Sequence, residues 1–232
     1  MRRFRKPIKG QLFRRFESSR LRQKNMENSW EKHWGRGYDP ETKRGFLDPI
    51  FSQLAAEDKI GDVVVDVGSG AWPVSRHIPG NHKFIGLDIA GEEGEFGNQK
   101  QIKVDIEATE KSLQYKRALV KAADFVGIDL RKEPNKQQVD TIIFSEILNY
   151  VDYEEVLKTF KSFLKPGGRI IIVNLPGRGF KEAFSEKGLQ DNRKLFELLE
   201  REDFEIEDKH FPWRGDGQGQ AHEMLVVVAR KK

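Results

Sequence analysis

A series of short apolar runs, alternating with helical patterns from residue 60 onward, most constrains the fold. The runs are VVVDV (63–67), KFIGLD (83–88), DFVGID (124–129), TIIFS (141–145) and RIIIV (169–173). This alternation is typical of βαβ units, which build a parallel sheet with helices on both faces. The continuous apolar character of the first and last runs predicts strands that are covered on both faces.

The remaining segments complete the predicted sheet. FEIEDKHF (204–211) and EMLVVVARK (223–231) are separated by a loop too short for a crossover helix, so these strands are expected to pair antiparallel. Asp152 and Glu155 have capping-box spacing and predict a helix, which the PGG at 166–168 is expected to end. QIKVDIE (101–107) reads as an extra strand or edge piece, and GEEGEFG (91–97) as a solvated loop. The prediction is an α/β, mostly parallel seven-stranded sheet with a C-terminal antiparallel hairpin.

A glycine turn follows the first predicted strand. The strand carries Asp66 near its end and continues into Gly68, Ser69 and Gly70. A turn of this kind exposes backbone N–H groups where a ligand can approach closely. A dinucleotide fingerprint needs a third glycine at position 73, where the chain has proline, and Asp66 is a poor neighbour for a diphosphate. A cationic sulfonium with a ribose suits Asp66 and Asp88 better, because a carboxylate at the end of the second strand accepts from ribose hydroxyls.

Five segments resemble, in order and spacing, the successive motifs of class I S-adenosylmethionine-dependent methyltransferases. They are DVGSGAWP, GLDIA, GIDL, VDTIIFSEILNYV and LKPGGRIIIV. The resemblance covers residues 47–232 and implies a Rossmann-like fold. It also implies S-adenosyl-L-methionine as cofactor and in-line methyl transfer to an oxygen or nitrogen of a small-molecule acceptor.

The resemblance also implies the residues of the cofactor site. These are Asp66, Gly68, Ser69, Gly70, Asp88, Ile89, Asp129, Leu130 and Ser145. Asp88 would bind the ribose and Ile89 would pack on the adenine. Asp129 and Leu130 would meet the edge of the adenine, with Asp105 as the alternative acid. Asp129 is preferred because a short step separates it from the fourth predicted strand.

Three further residues are candidates for the site. Trp34 belongs to SWEKHWGRGYDP (29–40), which is a candidate lid over the cofactor. Glu146, after the fourth strand, and His222, beside the last loop, are candidates for orienting or deprotonating the acceptor. The spacing of His and acidic residues predicts no metal site.

Charge divides the chain into two expected parts. Residues 1–46 carry 14 basic and five acidic residues, so they predict a basic helical arm and lid in front of a methyltransferase domain at 47–232. A basic arm suggests contact of residues 1–25 with RNA or an anionic membrane. One alternative function is an RNA methyltransferase that uses this arm. A second alternative is a catalytically inactive S-adenosylmethionine-binding protein. The chain has no cysteine and no apolar run of membrane-spanning length, and a cytoplasmic location is expected.

Overall fold

The computed structural model describes most of the chain after residue 39. The described residues are 40–70, 74–76, 78, 82–88, 93–96, 99–104, 117, 119–121, 123–124, 127, 138–174, 185–215 and 221–232. They all belong to one compact unit, Asp39–Lys232. The predicted basic arm lies outside the described residues, so the division into arm and domain stays a prediction.

The main sheet has eight strands in the order β3-β4-β2-β1-β5-β6-β10-β7, and β8 and β9 form a separate small hairpin. The strands are β1 Val63–Val67, β2 Lys83–Asp88, β3 Gly94–Phe96, β4 Gln99–Lys103, β5 Val139–Ser145, β6 Leu164–Asn174, β7 Phe204–His210, β8 Trp213–Gly215, β9 Ala221–Glu223 and β10 Leu225–Lys231. The helices include α1 Pro40–Ala56, α2 Tyr153–Lys161 and α3 Asn192–Arg201, and Val74–Arg76 forms a 3₁₀ turn.

This architecture confirms the predicted fold class. Strands β4, β2, β1, β5 and β6 are parallel neighbours, and β10 pairs antiparallel with both β6 and β7. The predicted bounds of β1 and β2 match the structure. The main sheet has eight strands where seven were predicted, because β3 adds a short antiparallel edge beside β4.

The prediction of the third parallel strand at 124–129 is wrong. Residues 123 and 124 are helical and Gly127 lies in a turn with φ 75°. The position beside β2 is filled by β4, Gln99–Lys103, which overlaps the segment 101–107 that was expected to be an extra strand or edge piece. The GEEGEFG loop was also misassigned, since Gly94–Phe96 forms β3. Both errors come from polar strands near the sheet edge, which lack a continuous apolar pattern.

The α2 region confirms one prediction and corrects another. The side chain of Asp152 accepts from the backbone N–H of Glu155 at 3.3 Å, so the predicted N-cap is present. The helix ends at Lys161, and the PGG at 166–168 lies inside β6 instead of ending the helix. Val139 pairs with Leu164 and Thr141 with Arg169, so residues 165–168 form a bulge in the first part of β6.

Helices cover both faces of the sheet. On one face, buried side chains of α1 belong to the same apolar cluster as residues of β1, β5, β6 and β10. Leu47, Phe51 and Leu54 have the i, i+4, i+7 spacing of one helix face. On the other face, buried side chains of α2 and α3 pack in a second cluster against the alternate residues of the same strands. The predicted boundary at 46/47 falls within α1.

A cluster of ion pairs joins three strands at the end of the sheet where β6 and β7 begin. Glu207 on β7 pairs with Arg169 on β6 at 2.7 Å, with Arg230 on β10 at 2.9 Å and with Lys59 at 3.6 Å. Burial alone would raise the pKa of Glu207, but the hydrogen bond from Arg169 and the nearby positive charges lower it below the usual value.

We expect Glu207→Gln to destabilise the protein by about 1 kcal/mol at pH 7. The folded-state pKa lies below the unfolded-state pKa, so the contribution is present above the unfolded-state pKa and is lost as the pH falls through the folded-state pKa. Urea unfolding at several pH values should show the difference from wild type shrinking toward acid pH.

Glu205→Gln is the matched control, because Glu205 lies on the same strand, is exposed and pairs with Arg230. It should change the free energy of unfolding by less than Glu207→Gln. A Glu207→Gln difference that is constant with pH would contradict the electrostatic explanation.

Candidate functional site

Apart from His222, the predicted site residues that the structure describes lie at or just after the carboxyl ends of β1, β2 and β5. These three strands are parallel, so their carboxyl ends meet at one edge of the sheet. Ligands of open α/β sheets bind at this edge. The observed strand order therefore places Asp66, Asp88 and Ser145 at one edge of the sheet.

The glycine turn after β1 is held against both neighbouring strands. The backbone N–H groups of Gly68 and Ser69 donate to the carbonyl of Leu87 on β2, at 2.8 and 3.1 Å. Gly68 has φ 77° and Gly70 has φ 62°, which glycine adopts without strain. A Cβ atom on Gly68 would lie 2.6 Å from Cγ1 of Ile147, which follows β5. Position 68 therefore requires glycine both for its positive φ and for the close approach of Ile147.

Two buried carboxylates attach to this turn. The Oδ2 atom of Asp88 accepts from the N–H of Gly70 at 2.8 Å, and the Oδ2 atom of Asp66 accepts from the N–H of Val74 at 2.9 Å. Asp66 is fully buried and Asp88 is 9% exposed. Asp66 therefore stabilises the 3₁₀ turn, and Asp88 joins the glycine turn to β2.

Gln101 is a residue of this site that the sequence did not reveal. It lies on β4, and its Nε2 atom donates to Ser69 Oγ at 2.8 Å and to the carbonyl of Gly70 at 2.9 Å. Gly86 on β2 leaves room for this contact, since a Cβ there would lie 2.6 Å from Gln101 Oε1. The only sequence signal was a glutamine in QIKVDIE, and its meaning depends on the pairing of β4 with β2.

The edge beyond β5 carries polar groups of a different kind. Glu146 directly follows β5 with φ 55°, and its N–H donates to the carbonyl of Val173 on β6 at 2.7 Å. Ser145 is buried, and its Oγ atom has no hydrogen-bond partner among the described residues. Asn149 and Asn174 are buried beside each other, with Nδ2 of Asn174 3.4 Å from Oδ1 of Asn149.

Several predicted site residues lie outside the described part of the chain. They are Trp34, Ile89, Asp129 and Leu130, together with the alternative acid Asp105. His222 lies in β9 and pairs with Arg214 of β8, but its side chain is not described. The roles assigned to these residues stay predictions.

The described donor set fits an adenosyl sulfonium. Carboxylates are attractive to a sulfonium and an ammonium group, and they accept from ribose hydroxyls, whereas a diphosphate would be repelled. Among the described residues, no group of three metal-ligating side chains lies close enough together to hold a metal ion. In the same part of the chain, every helix is too short or too polar to cross a membrane.

This strand order, with a glycine turn after β1 and carboxylates near the ends of β1 and β2, agrees with the fold implied by the resemblance to class I S-adenosylmethionine-dependent methyltransferases. A family model described as "Methyltransferase domain" matches residues 65–172, which run from β1 to β6. The matched domain agrees with the resemblance to class I S-adenosylmethionine-dependent methyltransferases and supports S-adenosyl-L-methionine as the cofactor.

Solved structures show the same fold at low sequence identity. The 1,6-didemethyltoxoflavin-N1-methyltransferase of Burkholderia thailandensis, with 1,6-didemethyltoxoflavin and S-adenosylhomocysteine bound, is 18% identical with a TM-score of 0.62, covering 100% of this chain and 93% of that one. The CurJ carbon methyltransferase is 14% identical with a TM-score of 0.52, covering 83% and 55%. The [4+2]-cyclase SpnF is 15% identical with a TM-score of 0.51, covering 79% and 80%. Among curated proteins, no sequence matches the chain at a significant level.

Two glycines with the same backbone conformation allow the close approach at Gly68 to be tested. Gly167 has φ 74°, and a Cβ there would meet nothing within 4 Å. Gly167→Ala should therefore lower the free energy of unfolding by about 1 kcal/mol, for backbone strain alone. Gly68→Ala should cost about 1–3 kcal/mol more, because Ile147 must move.

Urea unfolding of the two variants measures this difference directly. Gly68→Ala should also weaken S-adenosylhomocysteine binding in calorimetry, while Gly167→Ala should leave it unchanged. Equal destabilisation of the two variants would show that Ile147 does not restrict the turn.

Proposed function

We propose that the protein transfers a methyl group from S-adenosylmethionine to an oxygen or nitrogen atom of a small-molecule acceptor. The observation that carries this proposal is the attachment of two buried carboxylates to one glycine turn, with Asp88 on Gly70 and Asp66 on Val74. A small acceptor is supported by the neighbour from Burkholderia thailandensis, whose structure contains a small bound heterocycle and matches the whole length of this chain.

In this proposal the cofactor site uses the residues around the glycine turn. Gly68, Ser69 and Gly70 would line the methionine end, Asp66 would favour its positive charge, and Asp88 would accept from the ribose hydroxyls. The bound cofactor supplies a methyl group on a sulfonium, which is a good leaving group. The protein's task is then to align the acceptor and exclude water.

We also propose that the adenine amino group is met by Asp105 rather than Asp129. The preference for Asp129 depended on a third strand at 124–129, whereas the third parallel strand is β4. Beyond β4, the N–H of Val104 donates to the carbonyl of Asp88 at 2.6 Å, which keeps the chain beside β2. Asp105 is the next residue, so its position after β4 supports the adenine role.

We propose that Glu146 contacts the acceptor, because its positive φ is not explained by a helix end. Asp58 and Asp203 have the same φ of 55°, but each lies in the turn that ends a helix, where this conformation is common. Glu146 follows a strand, where a glycine would avoid the strain. A non-glycine residue retained in a strained conformation at a ligand edge suggests that its side chain is needed. We assign it the orientation or deprotonation of the acceptor.

The other candidate functions have weaker support. The RNA alternative depends on residues 1–25 and the lid on Trp34, and both lie outside the described residues. His222 remains a second candidate for contact with the acceptor. The inactive binding protein would share the cofactor residues with the enzyme, so only turnover distinguishes the two.

Substitution of Asp88 tests the cofactor site. Asp88→Asn retains an oxygen that can accept from Gly70 but loses the charge, so we expect S-adenosylmethionine to bind roughly 10- to 100-fold more weakly. Asp88→Ala removes both functions, and calorimetry should detect no binding. Asp208→Ala, on the distant strand β7, is the control and should bind as the wild type does. Wild-type affinity in Asp88→Ala would contradict the ribose assignment.

Substitution of Glu146 by glycine should have opposite effects on stability and activity. Relief of the strained φ should raise the free energy of unfolding by up to about 1 kcal/mol. Loss of the carboxylate should lower kcat at least roughly tenfold. The affinity for S-adenosylmethionine should not change, because Glu146 has no proposed cofactor contact. Asp203→Gly is the matched control, since it relieves the same φ away from the site and should keep full activity.

The measurement follows S-adenosylhomocysteine formation with acceptors found in a panel of heterocyclic amines and phenols. Full kcat in Glu146→Gly would remove Glu146 from the mechanism. Turnover by the wild type on RNA fragments alone would favour the RNA alternative.

A further inference from the structure

Three neighbouring strands place a polar row beneath the glycine turn. Asp66 on β1 is paired with Gly86 on β2, and Gly86 is paired with Gln101 on β4. Residues paired directly across a sheet project from the same face. The central member of the row has no side chain, and a Cβ there would lie 3.0 Å from Ser69 Oγ as well as 2.6 Å from Gln101 Oε1. The space above Gly86 is therefore filled by Gln101 and by the glycine turn.

The backbone of Gly70 is fixed at both of its polar groups. Its N–H donates to Asp88 Oδ2 at 2.8 Å, and its carbonyl accepts from Gln101 Nε2 at 2.9 Å. The same Nε2 donates to Ser69 Oγ at 2.8 Å. An amide nitrogen has two hydrogens, so both donors of Gln101 are used on this turn. The orientation of the amide follows from chemistry, because a carbonyl oxygen can only accept.

We propose that Gln101 is a positioning residue that holds the glycine turn in its cofactor-binding conformation before the cofactor binds. This inference rests on the proposed function. A turn with two glycines at positive φ has many alternative conformations, and ordering it during binding would reduce affinity. Gln101 orders it in advance by donating to the carbonyl of Gly70, whereas Asp88 accepts from its N–H. Gly70 is then held by Gln101 as well as by Asp88, so the Asp88 carboxylate can also accept from the ribose without being the sole attachment of Gly70.

Gln101→Leu tests this role, because leucine has a similar size and no hydrogen-bond donor. Gln99→Leu is the matched control, since it makes the same chemical change on the same strand and Gln99 is paired with Phe84, away from the turn. We expect S-adenosylhomocysteine to bind about tenfold more weakly to Gln101→Leu than to Gln99→Leu in calorimetry. In kinetics, KM for S-adenosylmethionine should rise while kcat at saturation stays the same.

A measurement without any ligand separates this proposal from the proposed function. Hydrogen exchange at the amide of Gly70, followed by NMR in the free protein, should be about tenfold faster in Gln101→Leu than in Gln99→Leu. Equal exchange rates and equal affinities in the two variants would overturn the role of Gln101. A wild type that bound no S-adenosylmethionine would contradict the cofactor assignment. If Gly70 still exchanged faster in Gln101→Leu, Gln101 would order the turn, but its role in cofactor binding would be overturned.

A double-mutant cycle adds a readout that a general loss of stability would not produce. Ser69→Ala removes one of the two acceptors of Gln101 Nε2. If the two residues act through this contact, the losses of affinity in Ser69→Ala and Gln101→Leu should be less than additive when combined. Full additivity would overturn the contact between Gln101 and Ser69 as the source of the effect.

Discussion

The hydrogen bond from Gly70 to Asp88 is the interaction on which the candidate site depends. It joins the turn after β1 to the end of β2 and brings the residues proposed for the methionine end and for the ribose into one unit. The parallel pairing of β1 with β2 makes this contact possible, because it ends both strands at the same edge. Gly86 then leaves the space into which the turn and Gln101 fit. The strand order, the positions of the glycines and the position of the carboxylate therefore depend on one another.

The sequence predicted well the elements that are buried on both faces. In β1 and β2 every residue after the first is buried, and their bounds were predicted without error. In β4 only Ile102 is buried, so QKQIK has a weak strand pattern, and the sequence indicated an extra strand or edge piece at 101–107 without identifying it as the third parallel strand. The run at 124–129 looked like a strand, yet Leu119 and Ala123 are buried at helical spacing before it and Gly127 turns the chain. The local pattern of apolar residues reflects which side chains are buried, and fewer side chains are buried in strands near the edge of a sheet.

The same physics separates the predictable part of the site from the rest. Asp66 and Asp88 could be placed at this edge from the sequence, because one is the penultimate and the other the last residue of a strand whose apolar residues mark its bounds. Gln101 could not, because its role arises from its pairing with Gly86 and not from its own segment. The choice between Asp105 and Asp129 depends on which segment is the third parallel strand. The observed pairing of β4 with β2 is the reason that the proposal for the adenine contact changes from Asp129 to Asp105.

The edge beyond β5 shows how the loop beside the proposed acceptor site is held in place. The loop after Glu146 is fixed by backbone contacts that involve no ligand. The N–H of Leu189 donates to the carbonyl of Leu148 at 2.8 Å, and the N–H of Ser185 donates to that of Asn149 at 3.1 Å. Gly188 lies so close to the Asn149 carbonyl that any side chain there would collide with it. The residues that follow Glu146 thus form a base fixed by backbone contacts, and side chains that project from this base are free to determine acceptor specificity.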